Sequence, residues 1–600
     1  MKTLMEMLNG CFAAAFEKAG YDAKYGKCNV SNRPDLCEFQ CNGAMASAKA
    51  YKKPPIAIAN EVVAALENDG TFDKVEAVMP GFINITLSNK MLDKYLLEMN
   101  TADNLGYEPK NAGKTLIVDY GGANVAKPLH VGHLRPAIIG ESVKRMLAFD
   151  GYKAIGDVHL GDWGLPMGLI ITECSKRYPD LVYFDENYEG EYPSEAPFAI
   201  SDLEEIYPYA CAYSKEHPEY KEEARIATAQ LQAGRRGYRA LWKHILNVSK
   251  ADLKKNYDNL NVHFELWNGE SDVDSLIAPM VEKMKADGVA KLSEGAVVVD
   301  VKEETDNKEM PPCILVKSDG AAIYASTDLA TLVEREQDYK PDFIVYVVDK
   351  RQSLHFEQVF RTARKAGIIR PETRLHHIGN GTMNGPDGTP FKTRDGGVMR
   401  LEYLIRDIAA KVSEKMADRE LSAEERENIS KIVGLAALKY GDLSNAATKD
   451  YIFDVDKFTA FEGNTGPYIL YTMVRIKSIL DKYASVSGST IADIRAAAEK
   501  ADFAADYSSA DAVDSEKKLK LAIAAFADNI SNAADELAPH KICSYIFDLS
   551  NLFNSFYHEN KIIAEEDKAK QKHWISLICL TLKCLETCTD MLAISAPERM

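Results

Sequence analysis

Apolar positions change their spacing along the chain, and each change marks an element. In MKTLMEMLNGCFAAAFEKAG they recur every three to four residues, which predicts an amphipathic helix. The Pro-punctuated KKPPIAIANEVVAAL follows, and then GFINITLSN, whose strict alternation predicts a half-buried strand. The polar stretch NTADNLGYEPKNAGK closes a small α+β domain, placed at residues 1–107.

From Lys114 the order is strand, glycine-bearing loop, helix, strand: TLIVDY, GGANVAKPLHVGH, LRPAIIGESVKRMLAFDG and KAIGDVHLGDWG. That is a βαβ unit with a parallel crossover. A helical, acidic section occupies about residues 170–290. Strand–helix alternation then resumes in AVVVDV, CILVKS, AAIYAS (a strand that holds Tyr324), DFIVYVVDKRQ with HFEQVFRTARKAG, and LHHIGNGTM. An open parallel sheet of Rossmann type with a helical insertion accounts for residues 108–404, with ligands expected at the carboxyl ends of its strands. Residues 405–600 are helical by period, as in KIVGLAALKYGDL and GPYILYTMVRIKSILDKY, and predict an all-α bundle. The fold class is multidomain α/β.

Six hundred residues exceed what one core holds, so several domains are required by size as well as by pattern. No run of 18 apolar residues occurs, and Glu6, Asn9 and Glu17 break the first helix, so neither a membrane span nor a signal peptide is expected and the cytoplasm is the default. Eleven cysteines, with no CxxC pair, argue against a disulfide framework and a structural zinc site; Cys37, Cys41, Cys584 and Cys588 are read as packing, and no metal ligands are assigned. The net charge of -18 opposes a polyanionic partner, DNA included, but it is uneven. Residues 180–223 hold 13 Asp+Glu against 2 Lys+Arg, whereas residues 1–60 hold 5 against 8. The balance permits RNA without suggesting it.

Chemistry concentrates in two loops. In KPLHVGH, Lys127, His130, Gly132 and His133 fall where the first sheet strand hands over to its helix, and there free N–H groups and the helix dipole favour phosphate. Imidazoles at that point donate to phosphoryl oxygens, and Gly132 admits a flat base. Two other uses fit the same residues: a histidine cap on the helix with its neighbour in the core, or a metal held from adjacent turns. The second loop, GPDGTPFKTRDGGVMRL, sets Lys392 and Arg394 among Gly385, Gly388, Gly396 and Gly397, as a cationic flap over phosphates does. A solvated hairpin is its alternative.

Together these loops resemble the HIGH and KMSKS signatures of class I aminoacyl-tRNA synthetases. ANVAKPLHVGHLRPAIIG, GDWG, YASTDLA, DKRQSLHFEQVF, FKTRDGGVMRL, NTGPYILYTMVRI and the terminal APERM resemble the arginine-specific members, over nearly the whole chain. FKTRDGG departs from the usual second signature, and Lys127 stands where such degenerate members carry a compensating lysine.

The resemblance implies a catalytic Rossmann domain, an amino-terminal domain against the tRNA elbow and a carboxyl-terminal anticodon-binding bundle. It implies ATP with Mg2+, L-arginine and tRNA(Arg) as ligands and activation that needs tRNA; a monomer is the expected state, without a motif behind it. ATP falls to Lys127, His130, Gly132 and His133, joined in catalysis by Lys392 and Arg394. Arginine falls to Asn124, Tyr324, Asp328 and Gln352, because a guanidinium needs a shielded carboxylate ringed by acceptors. Asp328 also suits a helix start after Ser326 and Thr327, where a carboxylate favours the dipole in any case. Tyr471 and Met600 are assigned to tRNA, with Tyr468, Phe556, Tyr557 and His558 read mainly as core. A synthetase-like RNA-binding protein without catalysis, and a class I synthetase for another amino acid, stand as alternatives.

Overall fold

The structure is a computed structural model that describes residues 1–318, 320–385, 387–389, 399–500 and 513–600. It divides into two compact units.

The first unit comprises Met1–Lys110, Ala460–Asp590 and Ser595–Met600. Its antiparallel sheet runs in the order β1 (Cys28–Val30), β2 (Phe39–Cys41), β4 (Phe82–Leu87), β3 (Phe72–Val78). The opening helix Leu4–Lys18 is closed by a capping box between Thr3 and Glu6 and buries Leu8, Phe12 and Phe16. Lys520 joins the two ends of the chain within this unit. Fully buried, it pairs with Asp93 at 2.7 Å and Glu516 at 2.6 Å, and Glu516 also meets His573 and Trp574. The buried charges are thus paired, as burial requires.

The second unit comprises Asn111–Thr459 and Met591–Ile594. Its four-stranded sheet has β5 (Thr115–Asp119) and β10 (Phe343–Asp349) at its centre, β6 (Lys153–Asp157) beside β5 and β11 (Arg374–Asn380) beside β10. Every pairing is parallel. Ile117, Ile344 and Val345 are wholly buried, in keeping with strands covered on both faces. The chain leaves β5 towards β6 but leaves β10 towards β11, so the strand order reverses between β5 and β10. A crevice opens at the carboxyl ends on either side of such a reversal.

Three features differ from the sequence pattern. AVVVDV and CILVKS do not join the parallel sheet. With Lys291–Ser293 (β7), Ala296–Val299 (β8) and Cys313–Val316 (β9) form a separate antiparallel sheet, because Glu294 and Gly295, both at positive φ, turn the chain straight back. AAIYAS is not a strand: Ala322 makes one bridge to Val316, and Tyr324 starts the helix Tyr324–Asp338. Residues 405–459, grouped by period with the terminal helices, pack in the parallel-sheet unit. Arg135 explains that placement. From the helix Val131–Phe149 it reaches Asp442 at 2.9 Å and the Lys449 carbonyl at 2.8 Å, and Tyr451 donates to the same carboxylate oxygen at 2.8 Å.

Beneath the carboxyl edge, Arg335 is buried between Asp119 and Asp157, 2.6 Å from each, and donates to Tyr346 at 3.1 Å. One guanidinium thereby ties the ends of β5 and β6 to β10.

Candidate active site

Between β5 and its helix the chain needs unusual backbone. Gly121 and Gly122 take φ of 92° and 59°, and Ala126, a non-glycine residue, takes 61° while its N–H donates to Ser249 Oγ at 3.0 Å. Asn124 is half-buried and bridges to Gly161, whose N–H donates to the Ala123 carbonyl and whose own carbonyl accepts from Val125. A Cβ on Gly161 would lie 2.2 Å from Asn124 Oδ1, so GDWG needs glycine there to leave Asn124 in place.

His130 caps the helix Val131–Phe149, and its Nδ1 accepts the Gly132 N–H at 3.0 Å. In return, His133 Nδ1 accepts the His130 N–H at 3.1 Å. The rings lie 3.9 Å apart. Burial, then the neighbouring His130 and Lys127, pushes His133 down to about 3; burial and Lys127 lower His130 as well. Both rings are therefore neutral near pH 7, and an Nδ1 that accepts leaves the proton on Nε2. The cap and the donor role are compatible: Nδ1 serves the backbone, and Nε2–H is left to donate. A Cβ on Gly132 would sit 2.8 Å from His130 Cε1, so the glycine keeps the first ring in position. The Lys127 ammonium lies 4.9 Å above the Tyr207 ring.

The second loop is anchored beside the first. At its near end Met383–Asn384 (β12) pairs in parallel with Tyr451–Ile452 (β13). At its far end the Met399 carbonyl accepts from Val131, and Leu401 donates to Leu129, both at 3.0 Å. Lys392 and Arg394 lie outside the described residues. Arg400 pairs with Glu204 of the insertion at 3.0 Å.

The residues assigned to arginine come from three elements around the crevice. Gln352 is exposed just after β10, at the start of the helix Ser353–Lys365. Asp328 is in the second turn of Tyr324–Asp338 rather than at its start, because the helix opens at the tyrosine. Tyr324, one turn earlier, is 75% exposed rather than packed in a strand. It neighbours Tyr207, which burial, Cys211 and Tyr324 together push up to about 12.

The structure adds residues that the sequence pattern does not single out. His355 Nε2 meets Asp328 Oδ2 at 2.5 Å. Burial pushes Glu270 up to about 7, a rise that His159 offsets and that Asp162 and Asp328 reinforce. Asp162, from GDWG, accepts from Ser271 N–H and Oγ at 3.0 and 2.7 Å. Glu204 and Tyr207 belong to the acidic insertion yet meet Arg400 and Lys127. GDWG, which holds Asp162, and QSLH, beside Gln352, offer a signal; the other partners are remote in sequence.

Asp119, Asp157 and His159 approach one another closely enough to ligate an ion, but Arg335 bridges the two carboxylates. In the other unit Tyr471 is half-buried beneath Arg475, 4.7 Å from the guanidinium carbon, and Tyr557 lies 5.8 Å from the same group. Lys477, on the helix that bears Tyr471, pairs with Glu598 at 2.8 Å and so brings the tail ending in Met600 to that helix. Phe556 is core.

Three family models match this chain: the class I (R) tRNA synthetase catalytic domain over residues 97–455, the DALR anticodon binding domain over 469–600, and the arginyl tRNA synthetase N terminal domain over 6–87. The arginine–tRNA ligase of Agathobacter rectalis is 57% identical and that of Alkaliphilus oremlandii 54%, each aligned over 100% of both chains. Among solved structures, the Plasmodium falciparum arginyl-tRNA synthetase superposes with a TM-score of 0.81 at 24% identity, and the Thermus thermophilus enzyme with 0.76 at 20%, each covering 100% of both chains. The chain belongs to the arginyl-tRNA synthetases, class I ligases that activate arginine and charge tRNA with it.

Proposed function

We propose that the crevice between β5 and β10 carries out both half-reactions as follows. The arginine carboxylate attacks the α-phosphate of Mg-ATP, giving arginyl-adenylate and pyrophosphate, and a terminal ribose hydroxyl of tRNA(Arg) then attacks the arginyl carbonyl, giving arginyl-tRNA and releasing AMP. The observation that carries this reading is the pair of neutral imidazoles held as Nε2–H donors at a helix N-terminus. They suit phosphoryl oxygens and the charge that develops on them. His130 and His133 stabilise rather than react. Lys127 supplies a point cation for the leaving pyrophosphate, shared with Lys392 and Arg394 of the second loop. Gly132 makes room for the nucleotide, and Mg2+ arrives with ATP, held by phosphate and water.

Asp328 takes the guanidinium, with Tyr324, Gln352 and Asn124 around it. Lysine is rejected because one ammonium cannot match the carboxylate and the acceptors around it as the planar guanidinium fork does. Asp328→Asn keeps the shape and removes the charge, so the KM for arginine is expected to rise about ten- to a hundredfold, the scale of a lost charge-assisted hydrogen bond, with the KM for ATP little changed. An unaltered arginine KM in pyrophosphate exchange would remove Asp328 from the pocket.

Residues 1–107 contact tRNA, the parallel-sheet unit catalyses, and the terminal helices read the anticodon through a surface that includes Tyr471 and Met600. Because the compact units put residues 405–459 with the parallel sheet, the anticodon-reading part is assigned to the helices after 459. The enzyme works as a cytoplasmic monomer, and no described helix is long and apolar enough to cross a membrane. Activation waits for tRNA: exchange without tRNA is expected near background, and strong exchange in its absence would contradict this.

A further inference from the structure

Among the described residues Asp328 accepts from one side chain, His355, and that contact has a direction. His355 sits in the first turn of Ser353–Lys365 and brings Nε2 to 2.5 Å from Asp328 Oδ2. Each side chain keeps about a quarter of its surface exposed, 25% for His355 and 23% for Asp328. A carboxylate offers about four acceptor directions, so one contact on Oδ2 leaves Oδ1 and a second direction on Oδ2 for another donor. An aspartate on a helix face rotates broadly about its last torsion. A donor on one oxygen removes that freedom.

The imidazole is braced from the sheet. Its ring stands edge-on to Phe356 at 5.3 Å, Phe356 stacks on His377 at 4.6 Å, and His377 Nε2 meets the Val348 carbonyl at 3.0 Å. Val348 belongs to β10 and His377 to β11. A continuous chain of ring contacts therefore runs from β10 and β11 to the carboxylate.

We propose that His355 is a specificity-determining positioning residue, which holds the Asp328 carboxylate in the plane where it takes a guanidinium fork. This rests on the assignment of Asp328 to arginine. The two basic amino acids differ in what they ask of that carboxylate. A guanidinium presents paired N–H groups in one plane and gains from a carboxylate fixed in the same plane, whereas an ammonium is a point charge indifferent to it. Loss of His355 weakens arginine binding and leaves the feeble hold on lysine nearly as it was, so discrimination shrinks.

The test is pyrophosphate exchange by the full-length protein with tRNA present, with arginine and lysine compared. His355→Ala is expected to raise the KM for arginine about tenfold or more, with kcat and the KM for ATP within about threefold of the parent, and to narrow the preference over lysine by a similar factor. His355→Gln places an amide N–H where Nε2 stood, and is expected to recover most of the loss. An arginine KM unmoved in His355→Ala, while Asp328→Asn raises it, overturns the role of His355 alone. If Asp328→Asn leaves the arginine KM unmoved, the assignment of the pocket itself falls. Equal impairment of His355→Ala and His355→Gln, or a matching rise in the KM for ATP, counts against positioning through a donated hydrogen bond.

Discussion

His133→Ala is expected to slow arginine-dependent pyrophosphate exchange by about a hundred- to a thousandfold, the scale on which a preorganised donor to developing charge is lost. The geometry argues for a loss in kcat rather than in substrate KM. His133 Nδ1 is committed to the His130 N–H, so the ring proton is held on Nε2 before any substrate arrives. A donor set in advance contributes most where charge on the phosphate is greatest, which is the transition state. The substitution acts twice, because it also leaves the His130 N–H without its acceptor and removes the ring packed 3.9 Å from the first. Since burial pushes His133 of the free enzyme down to about 3, kcat/KM is expected to show no acid limb from this ring near the ordinary imidazole range. Steady-state exchange over a range of arginine concentrations checks the split. A mutant with near-parent kcat would take the second histidine out of the chemistry.

Why some of this site was readable and some was not follows from how far each residue sits from its partner. The loop after β5 announces itself because strand, glycines, histidines and helix are contiguous, and the cap joins residues two and three apart. Gln352 is singled out only by the resemblance of DKRQSLHFEQVF; the buried strand before it gives its place at a carboxyl end, not its role. Tyr324 was misplaced in a strand because alternation in AAIYAS is too short to tell a strand from the approach to a helix. His355 and Asp328 are 27 residues apart, and no periodicity links them. Glu204 and Tyr207 lie in a segment whose acidity suggests a solvated face; their contacts with Arg400 and Lys127 depend on how the insertion folds back. Arg335 is the plainest case: on TLVEREQD it reads as a surface charge, yet it is 1% exposed beneath three strands. Helical period alone also cannot say which unit a helix joins, so the packing of residues 405–459 became visible only through Arg135 and Asp442.

That pair yields the second large effect. Asp442→Ala is expected to cost about 3–5 kcal/mol of stability, the scale of stripping one partner from a buried ion pair. Arg135 is 2% exposed and Asp442 wholly buried, so no water replaces the lost carboxylate. The guanidinium keeps one carbonyl partner, Lys449, and remains 5.1 Å over the Tyr451 ring, neither of which neutralises it. Tyr451 loses the acceptor for its hydroxyl in the same step. Replacing Arg135 and Asp442 together by leucine or methionine removes both charges and is expected to cost much less than Asp442→Ala, since the greater part of the single-mutant penalty is an unpaired buried charge. Denaturant unfolding of the parent, the single and the double variant separates these terms. The consequence for catalysis follows from where the pair sits: Arg135 is two residues beyond His133 on the same helix, and Tyr451 pairs with Met383 at the root of the second loop. In the Asp442→Ala protein that remains folded, exchange should therefore fall even with both histidines intact, and should recover in the double variant to the extent that the helix regains its seat. A single variant as stable as the parent would mean that Arg135 finds water or another anion, and that the signature helix is held by apolar packing alone.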